Sequence, residues 1–423
     1  MDHTPFAQFG MPIIGLKRFM EQGATIVRAE STHSRVGFLD GFRGWASLAV
    51  VMAHLNSFLL SPELYSPGSL WEYIASGNYG SALLVLLQII TPEGALAVQV
   101  FFVLSGFALS VSHLNPSRRR LAEAAAGRYF RLALPIFAAS MVTYCLINAG
   151  LFFNLEAGAI QERYSGWASV FYKDPVGLMK VLTFSFYDVF FRFNHYTGLN
   201  PPLWTMSVEL FGSFIIYAYL LIFRSGERVY WVVAVLLAVA FAVSQSYFLC
   251  FIAGYLIAEL VRKYPPGSKV NWVTAMERFS FSVFMTLLVV SYYLKGPKSV
   301  NTGSFIAIGF VLFASYSGPV KGFLTNRLST LLGSVSFPLY LIHIAVLCSL
   351  SSFLFIWFYK VGLGNLTSIY LNMTITFLSC IAFSAALIPA EKKAIVYSKR
   401  IAKFIVGRAE KTRTVYSRFK LHQ

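Results

Sequence analysis

The chain has 423 residues, of which 57% are hydrophobic, 17% aromatic and only 13% charged. A soluble chain of this length carries about a quarter charged residues, so the polar surface needed to cover a water-soluble protein is missing, and the apolar content excludes disorder. The formal charge of +17 does not point to nucleic acid, because the lysines and arginines flank apolar segments instead of forming one basic face.

The composition specifies an all-α polytopic membrane protein, and hydropathy places about ten transmembrane helices near residues 42–60, 94–113, 131–149, 202–223, 229–245, 246–261, 279–294, 302–318, 331–350 and 366–389. Residues 1–37 read as a cytoplasmic N-terminal segment without a cleavable signal, 38–390 as the membrane domain, and 391–423 as a basic amphipathic cytoplasmic tail. The apolar stretch Ala82–Ile90 is too short to cross and is expected to be interfacial or re-entrant. With the N-terminus inside and the spans alternating, inner segments hold 28 of the 35 lysines and arginines. That bias fits the positive-inside rule with both termini cytoplasmic. The four cysteines, Cys145, Cys250, Cys348 and Cys380, show no metal-ligand spacing and are expected to be buried apolar side chains. The long outer segment, about 150–201, carries Tyr164, Trp167, Tyr172, Tyr187 and Tyr196 and is a candidate substrate-facing element.

Titratable groups at lipid depth are costly and mark function, and three stand out: His54, Glu209 and His343. Glu259, beside Arg262 and Lys263, reads instead as a surface ion pair. Eleven residues separate Arg43 from His54, a rise of roughly 16 Å and a rotation only about 20° past three full turns. Both therefore share one face, with the arginine at the inner mouth and the histidine near mid-membrane. Helical rise puts His343 at roughly 18 Å and Glu209 roughly 20 Å from the inner surface, so two imidazoles and a carboxylate converge on a similar depth. For His343 an interhelical hydrogen bond, and for Glu209 pairing with a neighbouring helix, explain the same residues. Arg128 and Arg131, spaced i, i+3, point to one face and suit an anion clamp, whereas Arg118–Arg120 reads as topology. Ser105 and Gly106 offer a small surface where a helix or an acyl chain can approach closely. No metal site is read in the chain.

Together these residues resemble the acyltransferase-3 family of integral membrane O-acyltransferases. Phe38-Leu39-Asp40-Gly41-Phe42-Arg43-Gly44, followed by His54, is similar to its LDGLRG…H signature, and Phe101–Gly106 to its FFxxSG motif. Arg128–Arg131 is similar to its RxxR, Leu203-Trp204-Thr205-Met206-Ser207-Val208-Glu209 to its LWxLSVE segment, and Ser334–His343 to its SYxLYLxH element, with Phe337 in place of a tyrosine. The resemblance implies transfer of an acyl group, acetyl by default, from cytoplasmic acyl-coenzyme A as a donor substrate with no permanently bound cofactor. The acceptor it implies is a hydroxyl on a carbohydrate, a lipid-linked glycan or another envelope or secreted compound, in a plasma or inner membrane. Arg43, Arg128 and Arg131 would hold the donor's phosphates beside Ser105, and His54 would act as general base or accept the acyl group. Glu209 would orient the acceptor proton, with His343 and Trp204 as secondary contacts. No hydrolase-like domain is expected after the last span, unlike some relatives. The rival class is a transporter of an acylated or glycan-type compound, since mid-membrane polar residues also line substrate pathways.

Overall fold

The computed structural model describes residues 37–59, 70–90, 94–112, 117–160, 171–173, 175–195, 198–223, 228–294, 299–363 and 366–420, and every regular element within them is helical. Helix α1 covers residues 37–59. It is followed by α2 (Leu70–Ala75), α3 (Tyr79–Ile90), α4 (Gly94–Ser112), α5 (Arg118–Asn148), α6 (Asn154–Ile160) and α7 (Leu178–Thr183). A π turn at Phe184–Asp188 joins α7 to α8 (Val189–Phe191), and a 3-10 turn at Pro201–Trp204 opens α9 (Thr205–Ile222). Next come α10 (Arg228–Val243), α11 (Phe248–Lys263), α12 (Asn271–Tyr293), α13 (Val300–Tyr316), α14 (Gly318–Leu324) and α15 (Arg327–Val346). A second π turn, Leu347–Ser351, leads into α16 (Ser352–Lys360), and α17 (Leu366–Lys420) closes the described chain.

Each of the ten ranges read from hydropathy falls on a helix. Among the described residues six helices are long and apolar enough to cross a membrane: Gly94–Ser112, Arg118–Asn148, Pro201–Ile222, Asn271–Tyr293, Arg327–Lys360 and Leu366–Ala409. A seventh is added if α13 and α14, bent by 97° where they meet, form one span. Helices α10 and α11 have 16 residues each, about 24 Å of rise against a hydrocarbon core of about 30 Å. In α1 the apolar run is diluted by Asp40, Arg43, His54 and Asn56. Several helix starts are fixed by side-chain caps that satisfy an orphan N–H: Ser117 accepts from Arg120, Ser299 from Thr302, Ser317 from Val320 and Asn326 from Ser329.

Two glycine crossings set the packing. A Cβ on Gly106 would run into the backbone of Phe251, and one on Gly254 into the carbonyl of Val103, so α4 and α11 touch backbone to backbone. Likewise a Cβ on Gly44 would meet the backbone of Leu332 and Gly333, and one on Gly333 the carbonyl of Asp40. This presses α1 against α15, where Trp45 Nε1 also donates to Ser329 Oγ at 2.9 Å.

The tail expected to lie on the membrane surface from residue 391 is instead continuous with the last span. Helix α17 runs 55 residues through Pro389, and its small residues Ala394, Ser398 and Ala402 are buried. Ser398 and Ala402 pack on Gly127 of α5. Spacing of i, i+4, i+8 puts these three on one face, which the surrounding lysines and arginines conceal in the sequence. Two smaller expectations are also corrected. Cys250, Cys348 and Cys380 are buried, whereas Cys145 is exposed. Glu259 is a buried group, not a surface one, and accepts from Arg262 Nη2 at 2.6 Å and Nε at 3.1 Å.

Candidate active site

A cavity of about 420 Å³ opens where α1, α4, α5, α9, α15 and α17 meet. Three arginines and three carboxylates line it: Arg43 and Asp40 from α1, Arg128 and Arg131 from α5, Glu209 from α9 and Glu391 from α17. Glu391 lies beyond the boundary that the sequence suggests for the membrane domain, so the tail takes part in the site. Ser105, Thr330, Ser334 and Ser336 also line it. Its apolar lining includes Val98, Phe101, Leu132, Met206, Phe337 and the ring of Tyr340.

The three arginines are not equivalent. Arg128 is buried and committed to the protein: Nη2 pairs with Glu209 Oε1, and Nε donates to Ser213 Oγ at 2.9 Å. Ser105 Oγ donates to the same Glu209 oxygen at 2.7 Å, and Ser213 Oγ donates to the Glu209 backbone oxygen at 2.6 Å. Arg128 thus lines the cavity with its charge already matched by Glu209. Arg43 is held only loosely, with Nη1 3.8 Å from Asp40 Oδ1. Arg131 faces the cavity exposed and makes no ion pair among the described residues. Arg118, Arg119 and Arg120 stay outside the cavity on the exposed first turn of α5, where Arg119 pairs with Glu123 at 3.0 Å.

The histidines form a second cluster. His343 Nε2 lies 3.1 Å from His54 Nδ1, and the rings stack at 5.1 Å with an interplanar angle of 28°. The pair is a consequence of register. Gly44 meets Gly333 and His54 meets His343, a constant offset of 289 residues, so α1 and α15 run parallel and ten residues of each separate the crossing from the pair. Ten residues rise about 15 Å. The depth argument from helical rise thus brings the two imidazoles together correctly. It fails for Glu209, which stands with Arg128 and Ser105 at the charged cluster.

Tyr340 separates the two clusters. It lines the cavity, its ring lies 5.9 Å from that of His343 and 6.1 Å from Phe101, and its hydroxyl donates to the Pro202 carbonyl at 2.6 Å beside Thr205 Oγ1 at 2.8 Å. Neither Tyr340 nor Ser213 carries a role in the sequence reading, although each sits one turn from a residue that does. Trp204 is absent from the cavity wall and packs on Tyr247 with centroids 5.3 Å apart. In the outer segment, Tyr172 is turned inward and donates to the Leu199 carbonyl at 2.8 Å. Tyr164, Trp167 and Tyr196 lie outside the described residues. Among those described, no group of three His, Cys, Asp or Glu side chains is arranged to hold a metal ion.

A helical membrane bundle with an arginine-lined cavity and a histidine pair joined to it through Tyr340 defines the class, and the comparisons agree with it. The chain belongs to the acyltransferase-3 family, whose acyltransferase domain matches residues 36–389. It is similar to the acyltransferase clz18 of Cochliobolus lunatus, 24% identical over 84% of this chain and 91% of that one. It is also similar to the O-acetyltransferase PaAT-1 of Phomopsis amygdali, 25% identical over 74% of each. No solved structure matches it. The protein is a membrane acyltransferase.

Proposed function

We propose that this acyltransferase takes an acyl group, acetyl in the simplest case, from acyl-coenzyme A at the cytoplasmic face. It passes that group to a hydroxyl of a carbohydrate, lipid-linked glycan or other envelope or secreted acceptor. The observation that carries the reading is Arg131, a guanidinium exposed into the cavity that makes no ion pair among the described residues, with Glu391 as a nearby carboxylate. Beside the loosely held Arg43, it suits the phosphates of a coenzyme. The name of the relative PaAT-1, an O-acetyltransferase, supports acetyl as the group and oxygen as its destination. Ten spans with both termini cytoplasmic, in a plasma or inner membrane, would put the arginines on the side where the donor is found.

In this reading the donor's nucleotide end binds among Arg43 and Arg131, and its acyl arm runs along the apolar wall toward Tyr340 and the histidines. His54 takes the proton of the acceptor hydroxyl as its oxygen bonds to the acyl carbon. The carbon–sulfur bond breaks, the electron pair leaves with sulfur, and the thiolate recovers the proton from His54. Glu209 holds the arginine cluster in shape instead of touching the acceptor. Purified protein in detergent, given acetyl-coenzyme A and a hydroxyl acceptor, should release free coenzyme A in step with O-acetylated product. Release without acetylated product, or uptake of the acceptor into vesicles without release, would overturn the reading.

A further inference from the structure

The cavity follows one face of α15. Thr330, Gly333, Phe337 and Tyr340 line it at spacings of three or four residues, and the next step on that face is His343. The lining stops one step short: among the described residues neither His343 nor His54 borders the cavity. The offset of 289 residues between α1 and α15 sets Arg43 level with Leu332. Tyr340 therefore stands about 12 Å along α15 from the level of Arg43 and about 4.5 Å before that of the histidine pair. Its ring fills this interval, with centroids 5.9 Å from His343 and 6.1 Å from Phe101 of α4.

The ring is held at both ends. Tyr340 is 5% exposed, and its hydroxyl donates to the Pro202 carbonyl at 2.6 Å. The same hydroxyl lies 2.8 Å from Thr205 Oγ1, which is itself 3.1 Å from that carbonyl. Pro201 and Pro202 have fixed φ in the 3-10 turn that opens α9. A side chain tied at its Cα to α15 and at its hydroxyl to this turn swings aside only by breaking a buried hydrogen bond.

We infer that Tyr340 is the specificity-determining residue for the acyl group: its pinned ring walls the end of the cavity nearest the histidines, admits short acyl groups and excludes long or bulky ones. This rests on the proposed donor and on transfer at His54, because the acyl carbon then reaches the histidines from the cavity with its substituent packed against Tyr340 and Phe101. A pocket that does not yield discriminates by about tenfold or more for each methylene. The contacts to Pro202 and Thr205 keep this wall from yielding. Phosphate binding belongs to other residues, Arg43 and Arg131, so a change at Tyr340 alters the choice of acyl group at constant affinity for coenzyme A.

The full-length protein in detergent, given acetyl-, butyryl-, hexanoyl- and benzoyl-coenzyme A with one hydroxyl acceptor, tests this. The quantity read is kcat/KM for each donor relative to acetyl-coenzyme A in the same variant, which a general loss of activity or of folded protein does not move. In wild type the ratio falls at least tenfold from acetyl to hexanoyl. Tyr340→Ala raises the hexanoyl-to-acetyl ratio about 100-fold and Tyr340→Leu about tenfold. Tyr340→Phe keeps the ring without its anchor and raises the ratio about threefold. Should Tyr340→Ala not fold, Tyr340→Leu and Tyr340→Phe decide. A wild type that uses hexanoyl- as well as acetyl-coenzyme A, or a folded Tyr340→Ala or Tyr340→Leu with wild-type ratios, would overturn the inference. No release of coenzyme A by wild type from any donor would refute the donor, and this inference with it; transfer with unchanged ratios would refute only the role of Tyr340.

Discussion

The charged end of the cavity and the histidine pair solve opposite problems with opposite materials. The charged end gathers three arginines and three carboxylates on one cavity, so its charges nearly balance before any donor arrives, and only Arg131 and the loosely tied Arg43 remain to meet phosphates. Among the described residues no carboxylate pairs with His343, whose ring nitrogens meet two backbone carbonyls and His54. In the proposed function one region binds and releases a highly charged molecule, and the other keeps two imidazoles in contact. Tyr340, touching both, is the only side chain that lines the cavity and stacks beside His343 among the described residues.

Substitutions break this contrast in a definite order. The largest effect belongs to the histidines: His54→Ala should lower kcat about 1,000-fold while leaving KM for the donor near wild type, as steady-state kinetics with acetyl-coenzyme A will read. Next comes the buried ion pair. Glu209→Gln leaves the Arg128 charge uncompensated and should destabilise the protein by about 3 kcal/mol, measured as earlier thermal unfolding in detergent. Pairing Glu209→Leu with Arg128→Met should restore most of that stability, because the buried charge is then gone. Arg131→Ala should raise KM for the donor about tenfold with little change in kcat, the loss of one charge-assisted contact. The smallest effect is expected at Glu391→Gln, which removes a carboxylate that competes with phosphate for Arg43 and Arg131. There KM for the donor should fall about two- to threefold.

The parts legible in the sequence were those that follow from one helix at a time. Apolar runs locate the helices, and the eleven residues between Arg43 and His54 fix their shared face and spacing. The parallel course of α1 and α15 then follows from counting spans. What stayed hidden depends on which helices are neighbours. No periodicity in α9 says that Glu209 turns toward Arg128 of α5 instead of toward the histidines. The charges after residue 391 look like the start of a surface tail, yet the small-residue face Ala394, Ser398 and Ala402 carries the helix along the bundle and brings Glu391 into the cavity. At α10 and α11 the apolar runs are real, but with 16 residues apiece length alone does not identify them as full crossings.

The division of labour between the two regions is most directly tested by measuring binding separately from transfer. Titration calorimetry of coenzyme A into His54→Ala and Arg131→Ala, beside their kcat at saturating donor, does this. The account predicts wild-type affinity without transfer for His54→Ala, and weakened affinity with near-wild-type kcat for Arg131→Ala. Loss of coenzyme A binding in a folded His54→Ala, or loss of kcat at saturation in Arg131→Ala, would contradict it.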